Sequence, residues 1–162
     1  FEHLKDLRPI PGRLEFCGLS KAEAKIYVDY AHTPDALTAA LFSLRELTEN
    51  NIILVFGCGG GRDRFKRPIM GEIAENFADG IIITDDNPRN EDSDKIRKSI
   101  LETCPSAIEI PNRKEAIIKA INQGEKGDSI LIAGKGHEKF QIIDDKKIPF
   151  SDQDIIREVI GN

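Results

Sequence analysis

The sequence predicts an α/β domain: a doubly wound, mostly parallel sheet with helices on both faces. Three observations carry that expectation. Five short apolar runs recur along the chain, most without polar alternation, as strands buried on both faces require. Longer segments with apolar residues at helical spacing lie between them. Four of the five runs are followed at once by polar or glycine-rich clusters, the composition of loops along one edge of an open sheet.

Taken in order, residues 1–13 carry Pro9, Pro11 and Gly12 and read as an irregular lead-in, leaving 14–162 as the domain proper. The candidate strands are Ile26–Tyr30, Ile52–Gly57, Gly80–Thr84, Ala107–Ile110 and Ser129–Ala133. After the first, Pro34 falls in the opening turn of a helix whose Leu37, Ala40, Leu41 and Leu44 share a face. A second helix is expected over about Pro68–Phe77, and a third from Ser93 with Ile96, Ile100 and Leu101. Asn112, with Glu115 three residues on, heads a fourth that buries Ala116, Ile117, Ala120 and Ile121. A hairpin around Asp144-Asp145 and a last helix capped by Ser151 complete the chain, with Ile155, Ile156, Val159 and Ile160 facing inward. Strand–helix alternation of this kind gives a Rossmann-like sheet, here with a C-terminal hairpin plus helix.

Composition narrows the class. A chain of 162 residues, 40% hydrophobic and 31% charged, supplies one ordinary core. A net charge of -5 argues against nucleic acid as a partner, although it leaves room for a local basic pocket. Cys17, Cys58 and Cys104 form no C-x-x-C pair, so neither a disulfide framework nor a zinc site is expected, and a reducing cytoplasm fits. The apolar runs, Ile52–Phe56 among them, are far shorter than the ~20 residues a membrane span needs. The start, Phe1-Glu2-His3-Leu4-Lys5, lacks an apolar signal region and an initiator Met, which suggests a segment of a longer chain.

The four clusters hold the candidate chemistry. In Asp29-Tyr30-Ala31-His32-Thr33-Pro34, Asp29 can accept from a ribose and His32 can face phosphates; Asp29 and Thr33 serve equally well as helix caps. The stretch Gly57-Cys58-Gly59-Gly60-Gly61-Arg62-Asp63-Arg64-Phe65-Lys66-Arg67-Pro68 combines glycines, which let backbone amides approach an anion, with basic residues. It is neither a G-x-x-x-x-G-K-[ST] loop nor a G-x-G-x-x-G turn, and a solvated surface loop is its plain alternative. In Asp85-Asp86-Asn87-Pro88-Arg89, Pro88 stiffens the turn and Arg89 offers a planar fork to a carboxylate. Asn87 supplies a donor and an acceptor, and Asp85 or Asp86 can meet an ammonium, so the set can hold a zwitterion. In Gly134-Lys135-Gly136-His137-Glu138, the glycines expose backbone and Glu138 can pair an ammonium.

With these loops in place the chain resembles the C-terminal domain of the Mur ligases, and within them the branch that adds meso-diaminopimelate. The resemblance runs over nearly the whole chain in consistent order. It comprises Pro11-Gly12-Arg13, D-Y-A-H-T-P-D-A-L at 29–37, G-C-G-G with R-D and K-R-P at 57–68, D-D-N-P-R at 85–89, A-G-K-G-H-E at 133–138, and Ser151-Asp152. The glycine loop departs locally, with Gly61 where many relatives carry a charge and Phe65 where they are more polar.

The resemblance implies a Rossmann-like domain that closes over ATP held mainly by a central domain and carries the pocket for the incoming amino acid. Arg13, Asp29 and His32 would contact the nucleotide. Arg62, Asp86, Asn87, Pro88, Arg89, Gly134 and Glu138 would hold the amino acid. The family reaction phosphorylates a carboxylate of the UDP-linked muramoyl dipeptide with ATP, and the amino acid's amine then attacks the acyl phosphate. No catalytic residue is assigned; His32 and His137 are the candidates for taking the amine's proton. ATP and Mg2+ would be bound mainly by a central domain with a phosphate loop, no metal being expected in this domain. The central and N-terminal domains of the same chain would be its partners, and this domain alone would be inactive. Lysine-adding relatives usually lack the Arg of D-N-P-R, and Arg89 would receive the second carboxylate that lysine does not have. Lysine and meso-lanthionine are the competing substrates, the latter satisfying Arg89 equally. A folylpolyglutamate-synthase-like role fits less well, that branch favouring D-G-A-H-N-P, and a stand-alone nucleotide- or anion-binding module is the alternative of a different class.

Overall fold

A computed structural model describes residues 12–161, so all but the last residues of the lead-in lie outside the described part. A six-stranded sheet forms the middle layer, in the order β1-β2-β6-β3-β4-β5. Its strands are β1 (Glu15–Leu19), β2 (Lys25–Asp29), β3 (Ile52–Phe56), β4 (Gly80–Ile83), β5 (Ile108–Glu109) and β6 (Ser129–Ala133). All neighbours are parallel except β1, which runs antiparallel to β2 with an irregularity between Phe16 and Gly18.

The central strands are apolar throughout because both of their faces are covered. On one face α1 (Pro34–Leu47), α2 (Lys66–Phe77) and α3 (Ser93–Leu101) place Leu37, Leu41, Met70, Ala74, Ile96 and Ile100 against Leu54, Phe56, Ile83 and Leu131. On the other, α4 (Arg113–Gln123) and α5 (Asp152–Ile160) place Ala116, Ile117, Ala120, Ile121, Ile155 and Ile156 against Ile26, Val28, Val55, Ile130 and Ile132. Alternation along each strand assigns successive residues to opposite cores, so β6 gives Leu131 to one and Ile130 and Ile132 to the other. Each fully buried Leu or Ile contributes about 1.5–3 kcal/mol relative to exposure.

Local chemistry sets the element ends. Thr33, Asn112 and Ser151 accept from the amides of Ala36, Glu115 and Asp154, capping α1, α4 and α5 as expected from their side chains. Asp92, immediately before Ser93, caps α3 through Asp94 N. The second helix starts at Lys66 rather than near Pro68, with Pro68 inside its first turn, where a missing N–H breaks no bond. The expected strand Ala107–Ile110 shrinks to the two residues of β5, exposed at the sheet edge. The sequence reading did not include β1. Its Glu15, Cys17 and Gly18 are only half-buried on an edge, so its apolar signal is weak. The expected hairpin is β7 (Phe140–Ile143) with β8 (Lys146–Pro149), a separate two-stranded sheet turning at Asp144-Asp145.

The topology places the site. The loops after β2, β3 and β4 lead to helices on one face, whereas the chain after β6 leads through the hairpin to α5 on the other. A crevice opens where neighbouring strands send their chains to opposite faces, here around the end of β6.

Candidate functional site

At that crevice lies a cleft of about 680 Å³ lined by His32, Arg62, Asp86, Asn87, Arg89, Gly134 and Glu138. Residues drawn from four separate loops therefore meet at one place. Tyr30, Thr33, Pro34, Cys58, Asp63, Lys66, the exposed Phe65 and Ile69, and Gly57 and Gly59 complete the walls.

The glycine loop is shaped by close backbone contact. A Cβ on Gly57 would stand 2.1 Å from the Thr84 carbonyl oxygen, and one on Gly60 1.9 Å from that of Pro88. Gly60 N donates to Asn87 O at 2.9 Å, zipping this loop to the D-N-P-R turn. The basic residues that follow divide in role. Arg67 is buried and grips Glu91 with both terminal nitrogens, at 2.8 and 2.9 Å, and also reaches Gly59 O. Glu91 is consequently held far below its usual range, at about 2, first by Arg67 and further by the Gly61 amide. Lys66 donates to His32 O at 2.6 Å. Arg62 is exposed on the cleft with no hydrogen-bond partner among the described residues.

Arg89 adopts a left-handed backbone, φ 54, unusual for any residue other than glycine. The hairpin holds it there: Arg89 N donates to Ile142 O at 3.0 Å and Asp144 N to Arg89 O at 2.9 Å. Its Nη1 donates to Gly60 O at 2.8 Å, while Nε and Nη2 have no protein partner among the described residues. Asn87 donates through Nδ2 to Glu138 Oε2 at 3.0 Å. Asp86 is buried with its carboxylate against Gly134, whose Cβ would lie 2.7 Å from Oδ2; Gly134 sits at φ 110. Pro88 serves through its backbone, as the surface on which Gly60 packs. Two cationic forks, Arg62 and Arg89, and three carboxylates, Asp63, Asp86 and Glu138, thus share one cleft.

The residues assigned by resemblance to the nucleotide lie at its margin. Arg13 stacks over the Tyr30 ring at 5.4 Å, and His32 and His137 flank the same ring at 4.5 and 5.7 Å. His32 Nδ1 lies 2.8 Å from Tyr30 O. Asp29 is buried, and both its oxygens accept backbone amides, from Leu14 at 2.6 Å and Ala31 at 2.7 Å. It thereby ties the segment carrying Arg13 to the strand end. Asp85 belongs elsewhere: it pairs with Arg97, and it borders a separate groove of about 830 Å³ between α4, the hairpin and α5. That groove is lined by none of the other residues that the sequence offered for ligand contact. Sequence reasoning passed over Tyr30 and Lys135 although both stand inside the quoted motifs. Lys135, set between two glycines in a loop, is the signal that was there to find.

Among the described residues no three His, Cys, Asp or Glu side chains gather into a metal-ligating group, and no helix is long and apolar enough to cross a membrane.

Fold and cleft together define an open, mostly parallel α/β domain with a charged crevice at the carboxyl ends of its parallel strands. Residues 12–136 match the family described as Mur ligase, glutamate ligase domain, and the chain belongs to that family. It is 53% identical over 158 residues to the UDP-N-acetylmuramoyl-L-alanyl-D-glutamate--2,6-diaminopimelate ligase of Zymomonas mobilis, covering 95% of this chain and 32% of that protein. The protein of that name from Mesorhizobium japonicum is 49% identical, with 97% and 32% covered. Among solved structures, one of a UDP-N-acetylmuramoyl-L-alanyl-D-glutamate--2,6-diaminopimelate ligase superposes with a TM-score of 0.87 at 39% identity, covering 99% of this chain and 33% of that one. The UDP-N-acetylmuramate-alanine ligase of Thermotoga maritima shares the fold, with a TM-score of 0.63 at 23% identity over 83% of this chain and 29% of that one. The chain spans about a third of the length of the curated relatives it matches.

Proposed function

We propose that the chain is the amino-acid-binding, C-terminal domain of an ATP-dependent ligase that adds meso-2,6-diaminopimelate to UDP-N-acetylmuramoyl-L-alanyl-D-glutamate in bacterial peptidoglycan synthesis. The observation that carries this reading is the single cleft that brings Arg62, Arg89 and Asn87 together with Asp86 and Glu138. Diaminopimelate bears a carboxylate and an ammonium at each end, and the cleft offers donors for the first and carboxylates for the second. The Nε and Nη2 edge of Arg89 can take a carboxylate in a paired, planar contact. Lysine, with no second carboxylate, would leave a desolvated guanidinium unsatisfied. The names of the relatives support the same substrate.

In the full-length ligase, residues 1–13 act as a linker from a central domain, and 14–162 close over ATP held there. Arg13, His32 and the Tyr30 ring face the nucleotide, while Asp29 positions them through Leu14 and Ala31 rather than by direct contact. The magnesium ion's ligands belong to the central domain. The amino acid's neutral amine attacks the acyl-phosphate carbonyl; the C–N bond forms, phosphate leaves and the amine proton passes to solvent or to a base. This domain's share is to hold the nucleophile in line and to complete the nucleotide site on closure. The reaction's soluble nucleotide substrates place it in the cytoplasm.

Calorimetric titration of meso-diaminopimelate and L-lysine into the full-length protein, with ATP analogue and dipeptide substrate bound, tests the reading. Binding of diaminopimelate, weakened at least about ten-fold by Arg89→Ala, is expected. Preference for lysine, or indifference to Arg89, would overturn the substrate assignment.

A further inference from the structure

Lys135 is fully buried, yet it is not among the residues lining the cleft. It stands between Gly134 and Gly136, both at positive φ. Side chains there would strike Asp86 and Tyr30, each at 2.7 Å. Lys135 Nζ donates to Asn87 Oδ1 at 2.7 Å and to Phe140 O at 3.0 Å, with Glu138 Oε2 at 3.6 Å. A second donor, Ile142 N, reaches the same Asn87 oxygen at 2.9 Å.

These contacts fix the amide's orientation. An ammonium and a backbone N–H can only donate, so the atom they share must be the oxygen. Nδ2 therefore faces the other way, where one N–H meets Glu138 and the second has no partner among the described residues. Turned over, the amide would set its oxygen against the Glu138 carboxylate and its NH2 against two donors. Desolvating an ammonium is costly, so an apolar side chain would serve better if the position only filled space.

We infer that Lys135 is a positioning residue for the amino-acid pocket, making Asn87 an obligate donor to the ligand. The inference rests on the amino-acid-binding reading above. It specifies that the ligand group facing Asn87 is an acceptor, a carboxylate oxygen, while Glu138 faces the ammonium. Burial pulls Lys135 below the usual lysine range, and the Asp86 and Glu138 carboxylates oppose that shift.

Steady-state kinetics of the full-length protein separates positioning from mere support. Lys135→Met is expected to raise the KM for meso-diaminopimelate about ten-fold while those for ATP and the dipeptide move less than about two-fold. In an Asn87→Ala background the same change should add less than about two-fold, because the two residues act as one unit. A KM for diaminopimelate that stays put, or effects that multiply in the double variant, overturn the inference. Where Lys135→Met does not fold, Asn87→Asp serves: it keeps the bond to Lys135 and removes the amide donor. It is expected to raise the same KM about ten-fold, and an unchanged value overturns the inference. Glu138→Gln tells the two failures apart. If it too leaves the diaminopimelate KM unmoved, the pocket reading falls; if it raises that KM while Lys135→Met does not, only the role of Lys135 falls.

Discussion

Arg113 and Asp152 are both fully buried, and their side chains meet in a two-point contact, Nε to Oδ1 and Nη2 to Oδ2, each at 2.8 Å. Nη2 also donates to Ala133 O at 3.0 Å, so one guanidinium joins the first turns of α4 and α5 to the end of β6. Replacing either partner leaves a desolvated charge, and Arg113→Met is expected to destabilise the domain by about 3–5 kcal/mol in urea unfolding. The thiols are silent by comparison. Burial pushes Cys58 and Cys104 up to about 12 and Cys17 up to about 11, so almost none is thiolate at neutral pH. Timed alkylation read by mass spectrometry should modify half-buried Cys17 first, with Cys58 and Cys104 reacting only as the chain opens. Equal rates at all three would contradict the packing described.

Among the elements, the glycine loop and the D-N-P-R turn pack against each other and behave as one unit. Gly57 and Gly60 have no room for a Cβ, because the Thr84 and Pro88 carbonyls already occupy that space. Gly60→Ala must push the D-N-P-R turn aside, and a loss of about 1–3 kcal/mol is expected, with weaker amino-acid binding as its companion. Thermal unfolding and titration on the same variant check both halves of that expectation. The sequence reading took these glycines as an approach for an anion. Their neighbours show that at Gly57 and Gly60 the approaching group is the protein's own backbone. That distinction was not legible beforehand, since Thr84 and Pro88 lie 27 and 28 residues further along the chain. Helix caps were legible, because Thr33, Asn112 and Ser151 act within three residues of their own position.

For the molecule as a whole, acid stability reflects how the cleft loop is tied down. Glu91 titrates near 2 in the folded state against about 4.5 in the open chain. A depressed carboxylate contributes stability above the unfolded value and loses it as pH falls from about 4.5 towards 2. Glu91→Gln should therefore flatten the fall in Tm over that interval while lowering Tm at neutral pH. On the proposed function, turnover requires the full-length protein. The purified chain is expected to form no amide product from ATP, dipeptide and diaminopimelate, and measurable turnover would refute the division of labour between domains.

By itself the sequence determined the central strands, the helix faces and the caps of α1, α4 and α5, because periodicity and capping are local properties of neighbouring residues. It also marked, through four loops following four strands, the edge on which the cleft would form. The edge strand β1 escaped it, since an edge residue is only half-buried and carries little apolar signal. Tertiary structure alone decided which polar residues serve one another and which face the cleft. Asp29 went to backbone amides, Asp85 to Arg97, Arg67 to Glu91 and Lys135 to Asn87, while Arg62 and one edge of Arg89 stayed open. A charged side chain near a strand end can be satisfied by any group that the fold brings within about 3 Å, and which group that is depends on contacts between loops far apart in the chain.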